Sequence, residues 1–356
     1  MIVMNFKNVL AFETSCDDTS VAVVRNDGFV HACLTANQDT VHKVFGGVVP
    51  EIASRNHTLQ ILPLVDETLV KARMNWGDID GLVVTSRPGL IGSLLVAVVT
   101  AKTIALAKNK PFIGVNHLEG HLLAPFLSDD EYSSPREFDY PFLALAVSGG
   151  HTQLYHVKSL GKYEILGRTV DDAAGEALDK FAKHLGLGFP GGAKVDRLAR
   201  DGDRRAFNLP RTMRSDENLD FSFSGLKAAG VRLIDSLSDT ERHKKVNDLC
   251  ASYQEAVVES LMIKFQQAQK QTGLKRVVVT GGVSANSRLR ELAETWAREN
   301  NLQLVLPPLR YCTDNAAMVG YAGIQRLNRG EFSDHNLSPK ASNDADDFIE
   351  SARGLR

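Results

Sequence analysis

Hydrophobic and polar positions follow one order twice along this chain. In the first pass, apolar runs predict strands at residues 9–13, 21–24 and 29–34. A helix at 51–74, a strand at 81–85, a helix at 91–108 and a strand at 112–115 follow. The second pass predicts strands at 142–148, 153–157 and 163–167 and a helix at 175–185. After an irregular, charge-rich insertion from 201 to 239 come a long helix at 244–272, a strand at 276–280, a helix at 286–299, a strand at 303–305 and a last helix at 314–328. Three consecutive strands and then alternating helices and strands describe an α/β domain with a mixed sheet. Its recurrence predicts two such domains facing each other across a cleft. The expected division is 1–138 and 139–341, with the last helix packing back on the first domain and 342–356 a polar, flexible tail. Residues 129–140, acidic with a Ser-Ser-Pro, are the expected hinge.

At 356 residues the chain can bury two ordinary cores. Hydrophobic residues at 43% and charged residues at 24% are values of a globular enzyme. A net charge of -2 supplies no global basic field, so a nucleic-acid partner has to meet a local patch. Cys16, Cys33, Cys250 and Cys312 are scattered without a C-x-x-C pair, which speaks against a disulfide framework or zinc ribbon and fits a reducing cytosol. The first eight residues lack the apolar core of a signal peptide. The apolar stretch at 90–107 is interrupted by Gly92, Ser93, Thr100, Lys102 and Thr103, so it reads as a buried helix rather than a membrane span. A cytoplasmic chain with no membrane is the expectation.

Chemistry concentrates in Asn116-His117-Leu118-Glu119-Gly120-His121, directly after the strand at 112–115. Imidazoles four residues apart share one helix face and can grip a single metal ion from adjacent turns. Glu119 is two residues from each, about 200° around the helix, and points away. The H-E-x-x-H metalloprotease pattern instead puts its Glu beside the first His, where it acts as base on a metal-bound water. The spacing therefore predicts a metal binder that is not built as a zinc protease. Each pass also opens on a strand, a tight polar turn and a strand: Glu13 to Ser20 in the first, Val147 to Thr152 in the second. Such hairpins offer N–H groups and hydroxyls to phosphate oxygens. Thr280-Gly281-Gly282-Val283-Ser284-Ala285-Asn286 joins a strand to a helix, a setting for nucleotide. Cys16 has no base partner in view and reads as a buried thiol rather than a nucleophile. His151 either touches ligand or braces its hairpin, and Asp17-Asp18 either holds a cation or nucleotide or is solvated.

Two phosphate hairpins and a glycine-rich strand-to-helix turn in a duplicated α/β chain resemble the actin, Hsp70 and sugar-kinase superfamily, whose two RNase H-like (ASKHA) domains flank a nucleotide cleft. A narrower resemblance rests on six motifs in order: the 116–121 segment, Ser148-Gly149-Gly150-His151-Thr152, Asp171-Asp172-Ala173-Ala174-Gly175-Glu176-Ala177, Phe189-Pro190-Gly191-Gly192, Gly281 to Asn286, and Thr313-Asp314-Asn315-Ala316-Ala317-Met318. Together, over roughly residues 8–340, they resemble the TsaD family, formerly O-sialoglycoprotein endopeptidase, in its bacterial form. Asn56, where an acidic residue is expected, touches no site motif.

The resemblance implies a tRNA N6-adenosine threonylcarbamoyltransferase. Its expected reaction moves the threonylcarbamoyl group from threonylcarbamoyl-adenylate to N6 of the adenosine 3′ of the anticodon, in tRNAs reading codons that begin with A. The transfer is metal-assisted and direct. Carried over residue by residue, the metal ligands fall on His117, His121 and Asp314, a set suited to Fe²⁺ or Zn²⁺, with iron favoured by the resemblance. Nucleotide and acyl contacts fall on Ala146, Val147, Ser148, Gly149, Gly150, Asp179, Gly192, Asp196 and Asn286, and no general base is identified. The resemblance also implies a TsaB-like paralogue as heterodimer partner, with helices 51–74 and 91–108 as its expected face, and a TsaE-like ATPase. Arg204, Arg205, Arg211 and Arg214, Lys244 and Lys245, and Arg288 and Arg290 read as solvated faces before tRNA contacts. Three rival functions stand beside this one. A kinase or ATPase of the superfamily leaves His117, His121 and Asp314 unexplained. A metallopeptidase is opposed by the placement of Glu119. A non-catalytic scaffold like TsaB lacks the histidine pair.

Overall fold

A computed structural model describes residues 5–211 and 218–342; Arg214 of the basic clusters and the tail from 343 lie outside the described residues. The strands are β1 (Asn8–Glu13), β2 (Thr19–Arg25), β3 (Val30–Ala36), β4 (Gly81–Arg87), β5 (Phe112–Asn116), β6 (Phe142–Val147), β7 (Thr152–Ser159), β8 (Lys162–Arg168), β9 (Arg276–Thr280) and β10 (Gln303–Val305). The helices are α1 (Asp39–His42), α2 (Pro50–Ala72), α3 (Ile91–Lys108), α4 (His117–Leu123), α5 (Ala174–His184), α6 (Gly192–Ala199), α7 (Ser224–Asp235), α8 (Asp239–Lys244), α9 (Val246–Thr272), α10 (Ser287–Glu299), α11 (Leu309–Cys312) and α12 (Ala316–Asn328). The described residues divide into two units, one of 5–138, 160–162 and 307–342, the other of 139–159, 163–211 and 218–306. Residues 307–341, which the sequence reading counted with the second domain while its last helix packs back on the first, group by contacts with the first unit.

The first unit holds a sheet of order β3-β2-β1-β4-β5. β1 pairs antiparallel with β2 and parallel with β4; β2 is antiparallel to β3 and β4 parallel to β5. The pleat divides β1 between two cores. Val9 and Ala11, with Val83 of β4, pack against Met318, Val319, Ile324 and Leu327 of α12. Leu10 and Phe12, with Leu82 and Val84, pack against α2 and α3 through Ile61, Val65, Ala97 and Val98. Burial on both faces is why β1 and β4 read as continuous apolar runs. α3 is the one described helix long and apolar enough to cross a membrane by length and composition, with a mean hydropathy of 1.7. Its Leu94, Ala97, Val98 and Ala101 are buried.

Asp129 ties the end of the expected hinge to the segment that leads into α12. It accepts from Arg310 Nε and Nη2 at 2.7 Å each and from Tyr311 Oη at 2.6 Å. Partial burial pushes its carboxyl up, but these donors outweigh that and hold it well below the usual range. Asp129→Asn is expected to cost about 1–2 kcal/mol in urea unfolding at pH 7. A depressed carboxylate stabilises above its ordinary pKa of about 4 and loses that contribution as pH falls toward its folded value. The gap between wild type and variant therefore narrows below about pH 4.

The second unit repeats the first sheet with β6 in the place of β1. Its order is β10-β9-β6-β7-β8, with β6 antiparallel to β7 and parallel to β9, and β9 parallel to β10. Leu143, Leu145, Val147, Val277 and Val279 of the sheet share a core with Leu249, Val257, Leu261 and Phe265 of α9. The insertion expected to be irregular contains α7. Its first turn is anchored by Asp171, which accepts from Phe223 N at 2.7 Å and Ser224 Oγ at 2.8 Å. α6 was likewise not expected.

Candidate functional site

Two side-chain caps fix where the ligand-bearing helices begin. Asn116 Oδ1 accepts from Leu118 N at 2.8 Å, which places His117 in the first turn of α4 and His121 one turn on. Asn315 Oδ1 accepts from Met318 N at 3.0 Å, which sets Asp314 just ahead of α12. Asp314 Oδ1 then lies 3.3 Å from His117 Nε2 and 3.2 Å from His121 Nε2. The two rings meet edge to face with centroids 4.8 Å apart. Both imidazoles are buried, while the Asp314 side chain keeps 29% of its surface, so the set opens on one side. Ligands about 2.0–2.1 Å from one tetrahedral ion stand about 3.3 Å from each other. The two separations from Asp314 Oδ1 match, all three ligand atoms lie within 4.8 Å of one another, and two imidazoles with a carboxylate are a donor set for Fe²⁺ or Zn²⁺.

Glu13, at the end of β1, orients the first imidazole. Its Oε2 is 2.9 Å from His117 Nδ1 and accepts from Thr85 Oγ1 at 2.5 Å; its Oε1 accepts from Ser15 N at 2.5 Å. A hydrogen bond from Nδ1–H to this carboxylate leaves Nε2 aimed at the Asp314 side, the tautomer a metal requires. Burial alone would lower His117, but the carboxylates of Asp314 and Glu13 hold its pKa well above the ordinary value. Burial and the neighbouring His117 lower His121. Burial raises Asp314, yet the two imidazoles outweigh it and keep it ionised. A dication placed here takes over the charge-balancing role of the imidazolium proton. Ser15 Oγ also approaches His117 Nδ1, at 3.2 Å, the same nitrogen that Glu13 meets, so no serine–histidine–carboxylate relay forms. Burial and the nearby Asp17 and Asp314 push the Cys16 thiol far up, leaving it a protonated, poor nucleophile. Burial and Asp314 push Asp18 up to about 7.

The nucleotide residues expected from the sequence lie in the second unit in three groups. Ala146 and Val147 end β6, and Ala146 is paired with Thr280 of β9, so the 148–150 turn starts beside Gly281. Ser148 N donates to His151 O at 2.8 Å and the His151 backbone N to Ser148 Oγ at 3.2 Å, which closes the hairpin through backbone atoms of His151. Gly281 has φ +89° and packs on the Val147 carbonyl, a conformation and a closeness that ask for glycine. At Gly149 and Gly150 a methyl group would meet nothing within 4 Å, so packing does not ask for glycine there. Asp179 Oδ1 gathers Gly191 N at 2.8 Å and Gly192 N at 2.9 Å, starting α6. Asp196 Oδ1 accepts from Ser287 Oγ at 2.7 Å, beside Asn286, whose Oδ1 caps α10 and whose Nδ2 donates to Gln254 at 2.8 Å. Several cations of the basic clusters are held by carboxylates: Arg204 by Glu291 at 3.3 Å, Arg211 by Glu259 at 2.6 Å and Arg288 by Glu255 at 2.7 Å. Sequence reading passed over Glu13, whose signal was a lone carboxylate closing an apolar strand.

Two repeats of a three-plus-two mixed sheet, each with a glycine turn after its first strand or between strand and helix, define an actin-like α/β protein of the ASKHA type. Solved structures agree in fold. The (R)-2-hydroxyglutaryl-CoA dehydratase component A from Acidaminococcus fermentans matches 90% of the chain and 98% of its own length at TM-score 0.53 and 13% identity. HypF from T. kodakarensis matches 93% of the chain and 49% of its own length at TM-score 0.61 and 13% identity. The family profile of tRNA N6-adenosine threonylcarbamoyltransferase, TsaD, matches residues 30–321. The enzyme of that name from Bdellovibrio bacteriovorus is 56% identical over 96% of the chain and 99% of its own length, and that from Syntrophotalea carbinolica 46% over 94% and 96%. The chain belongs to the tRNA N6-adenosine threonylcarbamoyltransferase family. It is a transferase whose substrate is tRNA.

Proposed function

We propose that the chain transfers the threonylcarbamoyl group of threonylcarbamoyl-adenylate to N6 of the adenosine 3′ of the anticodon, in tRNAs reading codons that begin with A. The new bond joins N6 to the carbamoyl carbon. The mixed-anhydride C–O bond breaks, AMP leaves with the electron pair, and N6 gives up a proton to solvent water. His117, His121 and Asp314 hold one divalent metal, Fe²⁺ in preference to Zn²⁺. Bound there, it supplies Lewis-acid polarisation of an acyl or phosphate oxygen. The observation that carries this reading is the approach of Asp314 Oδ1 to both Nε2 atoms, at 3.2 and 3.3 Å. Ala146, Val147 and Ser148 lead the chain into the turn, where the backbone at Gly149 and Gly150 receives phosphate and the charge developing on AMP. Asp179, Gly192, Asp196 and Asn286 contact ribose and acyl groups, a carboxylate having about four lone-pair sites for such donors. Direct attack by N6 fits a protonated Cys16 and the absence of a serine relay at His117. The two units act as two domains in the cytoplasm, with a TsaB-like paralogue and a TsaE-like ATPase. The α2–α3 face, exposing Leu59, Leu62, Leu95 and Val99, receives the paralogue.

The test gives the purified chain, with its partners, threonylcarbamoyl-adenylate and an unmodified tRNA reading an A-starting codon. N6-threonylcarbamoyladenosine is read by mass spectrometry. Its absence from folded, metal-loaded protein would overturn the proposal. In the same assay Gly150→Ala is expected to slow transfer by about tenfold or more, because the methyl takes space kept for phosphate. Its unfolding free energy should stay within about 0.5 kcal/mol of wild type. An unchanged rate would remove this turn from the substrate site.

A further inference from the structure

The face of α4 opposite the imidazoles carries a buried ion pair that the chemistry above does not use. Glu119 is 1% and Arg326 4% exposed. Arg326 Nε donates to Glu119 Oε2 at 2.9 Å and Nη2 to Oε1 at 2.8 Å, a two-pronged pair, while Nη1 donates to Glu331 Oε2 at 2.6 Å. Arg326 sits in the last turn of α12, the helix whose start is preceded by Asp314. Midway, Gly120 lies so close to α12 that a methyl there would be 3.0 Å from Met318 Cγ and 3.4 Å from Val319 N. α4 thus meets α12 and its lead-in three times: His117 and His121 at Asp314, Gly120 at Met318, Glu119 at Arg326.

α4 has seven residues, about two turns, too few to hold an orientation by its own hydrogen bonds. A 10° roll about its axis moves an imidazole nitrogen about 6 Å from that axis by about 1 Å. Metal ligands tolerate about 0.2 Å. A buried ion pair is a poor source of stability, since desolvation offsets most of the attraction and an apolar pair would serve as well. Its two-pronged geometry does supply direction. We propose that Glu119 and Arg326 are positioning residues that fix the roll of α4 and so aim both imidazoles at Asp314. This rests on the metal reading of His117, His121 and Asp314.

The test titrates full-length apo protein with Co²⁺ and Zn²⁺ against a chromophoric chelator. It records the Co²⁺ d–d spectrum and checks fold by circular dichroism and thermal unfolding. Glu119→Gln and Arg326→Lys are expected to weaken binding about 10–100-fold and to shift the d–d bands. The paired change Glu119→Met with Arg326→Met removes both buried charges, and Glu331, which loses its 2.6 Å partner, keeps 31% of its side chain in solvent, so the fold should hold and the same loss should appear. Wild-type affinity and spectrum in these folded variants would overturn the positioning role and leave the metal reading intact. A wild-type chain that binds neither ion would overturn the metal reading itself.

Discussion

His121→Ala is expected to end specific metal binding and to take threonylcarbamoyl transfer to the uncatalysed background, while the chain stays folded. His121 Nε2 lies 3.2 Å from Asp314 Oδ1 and is one of three donors, all within 4.8 Å of one another, proposed to hold the ion. Losing an outer partner of a metal ligand costs about 10–100-fold in affinity. Losing a ligand should exceed that range, more than about 3 kcal/mol of binding. The fold should survive because the change leaves no charge alone: His117 and Glu13 still face each other at 2.9 Å, and Asp314 keeps His117 at 3.3 Å. The Asn116 cap and the Glu119–Arg326 pair continue to hold α4. Metal content, circular dichroism and tRNA product are measured on the same preparation. Retained metal would show that the ligand set is wrong. Lost metal with full product would show that transfer proceeds without it.

What could be seen in the sequence follows the range of the interactions. The strands β1, β4, β6 and β9 were legible because burial on both faces leaves unbroken apolar runs, as in Val277-Val278-Val279. The His117–His121 spacing was legible because the relation is local to one helix. Asp314 became a candidate only through its motif, since nothing near it in the chain places it beside His117 and His121. Glu13 and Arg326 were not legible, because their bonds to His117 and Glu119 span 104 and 207 residues. The start of α7 was hidden for the same reason, its anchor Asp171 lying 52 residues earlier. The last helix was expected to pack back on the first domain, and α12 does cover β1 and β4 through Met318, Val319 and Ile324.

Gly323→Ala is expected to destabilise the protein, although the same change in an open helix stabilises by about 1 kcal/mol. Gly323 lies in α12 directly over β4, and a methyl there would fall on the Val83 side chain, 2.8 Å from its Cβ and closer still to both of its γ-carbons. Val83 has no room to yield: it is fully buried, and β4 is held by parallel pairing to β1 on one side and β5 on the other. Overpacking of this kind costs about 1–3 kcal/mol and sometimes more, so strain outweighs helix propensity. The expected net loss is about 2 kcal/mol, a fall of several degrees in melting temperature. The relaxation that relieves it lifts α12 off the sheet, and Asp314 stands at the head of that helix. Metal affinity should therefore fall together with stability, in contrast to Gly150→Ala, where stability holds and only transfer suffers. Thermal unfolding and Zn²⁺ titration of Gly323→Ala measure both effects. A raised melting temperature would mean that α12 is not seated on Val83, and lost stability with wild-type metal affinity would mean that its seat does not govern Asp314.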